Sequence, residues 1–288
     1  MITIGIPTYN RKDLLEIMSK SLYQSDLSIP HNIRIYDDCS TEYGEETLKE
    51  LFPDAQSIII NNTNLKADRN IYSMYKDFLF SEDDFFFNAD SDLIFNKDWL
   101  RKATELINET DGILSIFNSN THDVYQLINN ELCLKKDIGS AGTIFSRNRL
   151  EELLMHFNQI EEIKGLDWQF SEYFKNNNVR IFCVNQSLIQ HIGYRGQNSS
   201  FFFDYGRNFK IESIDEGQII NDIYESHMDN IRIIALNNEI KDNELKNNFI
   251  YHFKRCIIIF IKSVLTKNVY SLFKKKYIKI KNGFMEKA

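Results

Sequence analysis

The sequence predicts an α/β domain, a mostly parallel sheet covered by helices, with a helical extension behind it. Three observations carry this. Short apolar runs alternate with segments of helical periodicity through about the first 117 residues, the order that builds strand–helix–strand units. Polar clusters follow the apolar runs, and in open sheets of this kind ligands bind beyond the carboxyl ends of the strands. From residue 216 onward helix breakers are scarce.

In chain order, residues 3–7 form a short apolar strand, and 13–23 a helix with Leu14, Leu15, Met18 and Leu22 at helical spacing. Residues 32–36 form a second strand, ended by Asp37-Asp38-Cys39-Ser40-Thr41. A short helix (45–51), a third strand (56–60) and a longer helix (70–79) follow. The fourth strand (84–88) precedes a helix (99–109) and a further strand (112–117). Past residue 138 the pattern changes. A loop of small residues, Gly139-Ser140-Ala141-Gly142, lets backbone approach something closely. Helices at 149–157 and 168–176, a strand at 179–184, an apolar run at 187–189 and a loop over 198–207 complete the series.

Composition bounds the function. The 288 residues suit one large domain, or one domain plus an appendage. With 43% hydrophobic and 26% charged residues and only 3 Pro and 11 Gly, the chain reads as globular rather than disordered or fibrous. Its 4 Cys are widely spaced and never form a CxxC pair, which argues against a disulfide framework or a zinc site and for a reducing, cytoplasmic setting. Residues 1–6 have no basic region ahead of an apolar core, so they read as a strand rather than a signal peptide.

Several polar clusters carry chemistry. Asp90-Ser91-Asp92 ends the run Phe85-Phe86-Phe87-Asn88-Ala89. Paired carboxylates repel each other, and hard oxygen ligands of this kind suit Mg²⁺ or Mn²⁺; the bland alternative is a polar turn in water. Asp37-Asp38 is a second acidic pair, either an Asx turn or an acceptor for a base N–H or ribose hydroxyls. His191 follows an apolar run, as a structural histidine or as an imidazole completing a metal shell. Asp167, after Gly165 and before a helix, is either an N-cap or a general base, with Trp168 as an apolar wall beside an incoming hydroxyl.

Together these segments resemble the inverting, metal-dependent glycosyltransferases of family 2, which have the GT-A fold: a Rossmann-like, nucleotide-binding mixed sheet flanked by helices. The stretch "IGIPTYNR" (4–11) resembles that family's opening strand and nucleotide loop. "IYDDCST" (35–41) resembles its "VDDGST" segment, with Cys39 where Gly is usual, and "NLKADRN" (64–70) is a loose version of its "N-x-G-x-x-x-A-R-N" stretch, lacking the Gly. "NADSD" (88–92) matches the D-x-D motif, "GSAGTIFSR" (139–147) the small-residue loop facing donor sugar and acceptor, "GLDWQF" (165–170) the helix start bearing the catalytic Asp, and "QHIG" (190–193) a post-catalytic His segment. The resemblance covers about residues 1–207.

The resemblance implies a role for each matching position. Pro7, Thr8, Tyr9 and Asn10 would line the nucleotide, with Asp38 bonding the base and Lys66 or Arg69 near the base or diphosphate. Asp90 and Ser91 would meet ribose or donor sugar, Asp92 and His191 would hold Mn²⁺ or Mg²⁺, and Asp167 would be the base. Gly139, Ser140, Ala141, Gly142 and Trp168 would face donor and acceptor. The expected enzyme moves a sugar from a nucleotide-sugar, UDP-linked, to a hydroxyl of a glycan or lipid-linked acceptor in bacterial surface polysaccharide or lipooligosaccharide synthesis. A nucleotidyltransferase also uses paired carboxylates and a metal, but "IPTYNRKD" is not the Gly-rich, basic phosphate loop it needs. A catalytically inactive sugar-nucleotide-binding or scaffold protein would not need Asp90, Asp92, Asp167 and His191 intact. The expected organisation is a glycosyltransferase domain over 1–215 (nucleotide half about 1–117, acceptor half about 118–215) and a helical extension over 216–288.

Charge is uneven along the chain. Residues 251–288 hold ten Lys/Arg and one acid, for +9, leaving 24 basic and 40 acidic side chains, or −16, in the first 250. The tail alternates apolar blocks with lysines, and its longest clean apolar run, residues 256–261, is far too short to span a bilayer. A basic amphipathic segment of this kind suits an anionic membrane surface and places the enzyme peripherally on the inner face of the membrane. The alternative cover for its apolar face is the domain itself or a second subunit, in a homodimer through the C-terminal helices. An acidic body argues against nucleic acid as a partner.

Overall fold

A computed structural model gives the fold and describes residues 1–157, 165–193 and 203–247. Strand β1 (Ile2–Thr8) leads into helix α1 (Lys12–Gln24), and β2 (His31–Asp37), α2 (Glu45–Leu51), β3 (Ala55–Ile60), α3 (Ala67–Phe78) and β4 (Phe85–Asn88) repeat the alternation. Then come β5 (Leu93–Phe95), α4 (Trp99–Ile107), β6 (Ile113–Ser115), β7 (Val124–Leu127), β8 (Leu132–Lys135), β9 (Thr143–Ser146), α5 (Arg147–Phe157), α6 (Leu166–Asn176), β10 (Ile181–Val184), β11 (Ile189–His191) and α7 (Ile214–Asn247).

Nine strands form one sheet in the order β3-β2-β1-β4-β9-β6-β10-β8-β7. The first four are mutually parallel, because each is separated from the next by a helix long enough to cross over. The other half is mixed rather than mostly parallel. β9 runs antiparallel between β4 and β6, and β7 and β8 make an antiparallel edge. β7 and β8 follow one another without an intervening helix and pair as neighbours, so they reverse direction. β5 and β11 pair separately as a two-stranded antiparallel sheet.

The central strands are buried on both faces, which is why the fourth apolar run reads as unbroken phenylalanine. Successive side chains of a strand point to opposite faces. Phe87 therefore joins Ile2, Ile4, Ile6, Phe95 and Trp99 in one core, while Phe86 joins Tyr75, Phe78 and Phe145 in the other. Phe87 packs 4.7 Å from Trp99, and Tyr75 lies edge-on to Phe86 at 5.4 Å. Because β1, β2 and β4 are parallel, their carboxyl ends share one edge of the sheet, and Thr8, Asp37 and Asn88 mark it.

The chain divides into two compact units, Met1–His227 and Met228–Ala288. The first turns of α7 belong to the first unit, where Ile220 and Ile223 pack with Leu14, Ile94 and Ile192. Helix α7 continues to Asn247 in the second. The basic tail, 251–288, lies outside the described residues, as do residues 198–202 of the loop over 198–207. Among the described residues no helix is long and apolar enough to cross a membrane.

Candidate active site

A cavity of about 550 Å³ opens at the carboxyl ends of β1, β2 and β4. It gathers Pro7, Thr8, Tyr9, Asn10, Asp38, Lys66, Asp90, Ser91, Asp92, Gly139, Ser140, Ala141, Asp167 and His191 from segments far apart in sequence. Three expected residues are not among those lining it. Arg69 is exposed on α3, and the Trp168 side chain is 63% exposed. Gly142 instead packs inward at φ +72°, where an added Cβ would fall 2.3 Å from Ile189 Cδ1.

The acidic pair is the electrostatic centre. Asp90, Asp92 and His191 place one ligand atom each within 4.8 Å of one another. Arg11 Nη1 donates to Asp92 Oδ2 at 2.6 Å, and His191 Nε2 lies 3.2 Å from Asp92 Oδ1. Burial raises the pKa of a carboxyl group, but the His191 and Arg11 charges overcome it and hold Asp92 well below the usual carboxylate range. Burial and the Asp92 charge push Asp90 up to about 6. Burial opposes the His191 imidazolium, yet Asp92 and Asp90 raise it to about 9. Gly193 makes this density possible, since a Cβ there would lie 2.2 Å from Asp92 Oδ2.

These groups fit a divalent cation. Asp92 Oδ1 is buried without a hydrogen-bond partner, and two carboxylates with one imidazole are a donor set for Mn²⁺ or Mg²⁺. Arg11, and His191 while it is protonated, supply positive charge to the same acids; to ligate the ion His191 would have to give up that proton. Arg11, which the sequence reading left without a role, is held in place by backbone: Asn10 and Arg11 are both left-handed, at φ 51° and 57°, just before α1 begins. No local sequence signal marks that turn as unusual, since neither residue is glycine.

Asp38 does more for the backbone than for a base. Its Oδ1 accepts from Leu65 N at 2.7 Å and Asn61 Nδ2 at 3.1 Å, and its Oδ2 from Lys66 N at 2.9 Å. Of about four acceptor positions on a carboxylate, one remains for a ligand. The segment it grips is strained. Lys66 sits at φ 73°, ψ 159°, a region almost confined to glycine, and this is where the family pattern has its Gly. Cys39, at the other expected Gly, likewise adopts φ 63°. Thr8 Oγ1 donates to Asp37 Oδ1 at 2.8 Å, and Asn10 Oδ1 accepts from Thr41 N at 2.8 Å, tying the first two loops together.

Asp167 lies in the first turn of α6 and is not its N-cap; Gly165 is, in the left-handed conformation and with no capping side chain. The cap comes from another helix. Asp68, in the first turn of α3, accepts from Gly165 N at 2.8 Å and Leu166 N at 3.2 Å. Asp167 Oδ1 accepts from its neighbour Trp168 N at 2.9 Å. Burial, and after it the Asp68 charge, raises the Asp167 carboxyl above its ordinary range, while Trp168 N and His122 oppose. Tyr75, fully buried between the two acidic groups, feels both Asp90 and Asp167.

An open α/β sheet with a buried, metal-fitting acid pair at the nucleotide edge and a perturbed carboxylate across one cavity defines a GT-A glycosyltransferase. The chain belongs to glycosyl transferase family 2, whose pattern matches residues 3–157. Asp167 and His191 lie beyond that matched segment. No curated protein matches the chain. Among solved structures, residues 1–349 of S. aureus TarS are 19% identical over 76% of this chain and 69% of that one, with a TM-score of 0.47. The UDP-GlcNAc complex of that protein is 21% identical over 75% and 60%, at 0.46. The mannosyltransferase PcManGT from Pyrobaculum calidifontis, in complex with GDP-Man and Mn²⁺, is 15% identical over 68% and 58%, at 0.47. The chain spans 42% of a longer TarS structure.

Two outcomes test this geometry. Lys66→Gly removes a strained backbone conformation worth about 1–3 kcal/mol, so thermal unfolding should show an unchanged or higher Tm; a clear drop would mean that the side chain stabilises the turn. Asp68→Ala strips the cap from α6, and loss of a cap costs about 1 kcal/mol. The variant should melt lower, and the acid limb of its kcat/KM profile should move to lower pH, because the charge that raises Asp167 is gone. An acid limb left in place would separate Asp68 from Asp167.

Proposed function

We propose that the cavity transfers a sugar from a UDP-linked donor to a hydroxyl of a glycan or lipid-linked acceptor, with inversion. The observation that carries this reading is the pairing, across one cavity, of the Asp90–Asp92–His191 cluster with Asp167. Pro7, Thr8, Tyr9, Asn10 and the remaining acceptor position of Asp38 bind the nucleoside, and Lys66 and Arg11 bring positive charge toward the diphosphate. Asp92 and His191, with Asp90, hold the divalent ion, whose chemistry is to neutralise charge on the departing diphosphate. Asp167 takes the proton of the acceptor hydroxyl. The freed oxygen pair attacks the anomeric carbon from the face opposite the diphosphate. The bond from that carbon to the diphosphate oxygen breaks, and its electrons leave with the nucleotide. A carboxylate raised by burial is a stronger base than one in water, which suits this role.

Asp167→Asn preserves shape and removes the base. Turnover should fall by about two orders of magnitude or more, with UDP affinity in Mn²⁺ nearly unchanged by calorimetry. Asp92→Ala in the same series should lose metal-dependent UDP binding. Equal loss of binding and turnover in Asp167→Asn would make Asp167 a structural residue.

The proposal extends to location. The +9 of residues 251–288 is the basis for attachment to an anionic membrane, where bacterial surface glycans are assembled on lipid carriers. Each Lys or Arg near such a surface contributes about 1 kcal/mol, screened within about 10 Å at 0.1 M salt. The full chain should co-sediment with anionic vesicles, release as salt rises and ignore neutral ones, and deletion of 251–288 should spare UDP binding. A full-length chain that ignores anionic vesicles, with a deletion that changes its oligomeric state, would assign the tail to subunit contact.

A further inference from the structure

The cavity continues past the nucleotide end to a buried cation that glycosyl transfer itself does not require. Lys135, the last residue of β8, lines the cavity and is 4% exposed. Its Nζ donates to the Ser119 carbonyl at 2.8 Å. Among the described residues this is its one hydrogen-bond acceptor, and no carboxylate lies within ion-pair distance. An ammonium has three donors, so two remain. Asp204 also lines this end but is occupied by the loop after β6: Oδ2 accepts from Ser119 Oγ at 2.6 Å and Thr121 Oγ1 at 3.3 Å, and Oδ1 from Asn120 N at 3.2 Å.

A second cation stands behind the first. Arg207 is close enough to disfavour the charge on Lys135, and its Nε is buried without a partner among the described residues. Burial lowers the Lys135 pKa and Arg207 acts in the same direction, while Cys183, Cys133 and Asp204 oppose them. A buried ammonium with two spare donors, beside the half-buried Arg207 and with no carboxylate within ion-pair distance, costs free energy that a bound anion would return. His122 lines the wall between them and the base. It contributes to the field at Asp167, and its Nε2 would lie 3.9 Å from a Cβ at Gly139.

We propose that this end of the cavity is an anion subsite, in which Lys135 backed by Arg207 binds a carboxylate or phosphate ester on one of the two sugars that the enzyme joins. The inference rests on the glycosyl-transfer reading above and deepens it. Topology favours the acceptor over the donor. β8 is the fourth strand along the sheet from β4, about 19 Å at the usual strand spacing of about 4.8 Å, and the acid cluster that marks the diphosphate end is at β4.

The test uses the full chain with Mn²⁺ and compares charged and neutral sugars in two arms. In the acceptor arm, D-glucuronate, glucose 6-phosphate and D-glucose are titrated against the UDP-saturated protein by NMR. In the donor arm, UDP-glucuronic acid and UDP-glucose are compared by calorimetry. One arm should show the anionic sugar binding about tenfold tighter or more than its neutral counterpart. That arm identifies the source. Lys135→Met should abolish the preference and Lys135→Arg should keep part of it, with UDP affinity unchanged in both. UDP binding with no anionic preference in either arm overturns the subsite alone, as does a preference that survives Lys135→Met. Failure of the wild type to bind UDP overturns the glycosyl-transfer reading and the subsite with it. Should Lys135→Met fail to fold, the wild-type comparison of charged and neutral sugars decides without it.

Discussion

The mutual repulsion of Asp90 and Asp92 is the constraint around which this site is built. Two carboxylates one residue apart, taken out of water at the end of a buried strand, cannot both remain charged without compensation. Arg11 reaches them from the turn after β1, and His191 from β11. The small sheet of β5 and β11 therefore has an electrostatic purpose. It carries the imidazole to a strand end about 100 residues away in sequence, and two residues past β11 the missing Cβ of Gly193 leaves room for Asp92. The two core layers that bury β4 on both faces are what make the pair expensive, and so what make it useful as a cation site.

Other carboxylates at the same edge serve the backbone. Asp37 holds Thr8 and the Ser40 turn, Asp38 holds the strained Leu65–Lys66 link, and Asp68 caps the helix that bears Asp167. Charge-assisted bonds from backbone N–H to carboxylate are stronger than neutral ones, and here they join one strand-end loop to another and to the start of α6. Asp68 has the furthest reach: it couples the α3 end of the nucleotide wall to the position and acidity of the catalytic candidate.

The half of the sheet beyond β4 is built differently from the parallel half. There β7 and β8 make an antiparallel edge, and the cavity wall carries Lys135 and His122. The same cavity thus holds the Asp90–Asp92–His191 cluster and the buried Lys135 ammonium, with Asp167 also on its wall.

By itself, the sequence determined the parallel strand–helix half, the polar clusters at its strand ends and the identity of Asp90, Asp92, His191 and Asp167. Periodicity and apolar runs report burial directly, so β1 to β4 and helices α1 to α4 were legible to within a few residues. The three-residue strand β5 and the strands β7 to β9 were not, because strands of three or four residues carry too few residues for a period. Only the tertiary structure decided which partner each polar group has. It gave Asp38 to the backbone, removed Asp167 from the cap position, left Trp168 exposed, and brought in Arg11, Asp68 and Lys135. Hydrogen bonds and ion pairs between residues 28 to 98 positions apart leave no mark on local spacing, and the left-handed turns at Asn10, Arg11, Cys39 and Lys66 occur at residues that do not announce them.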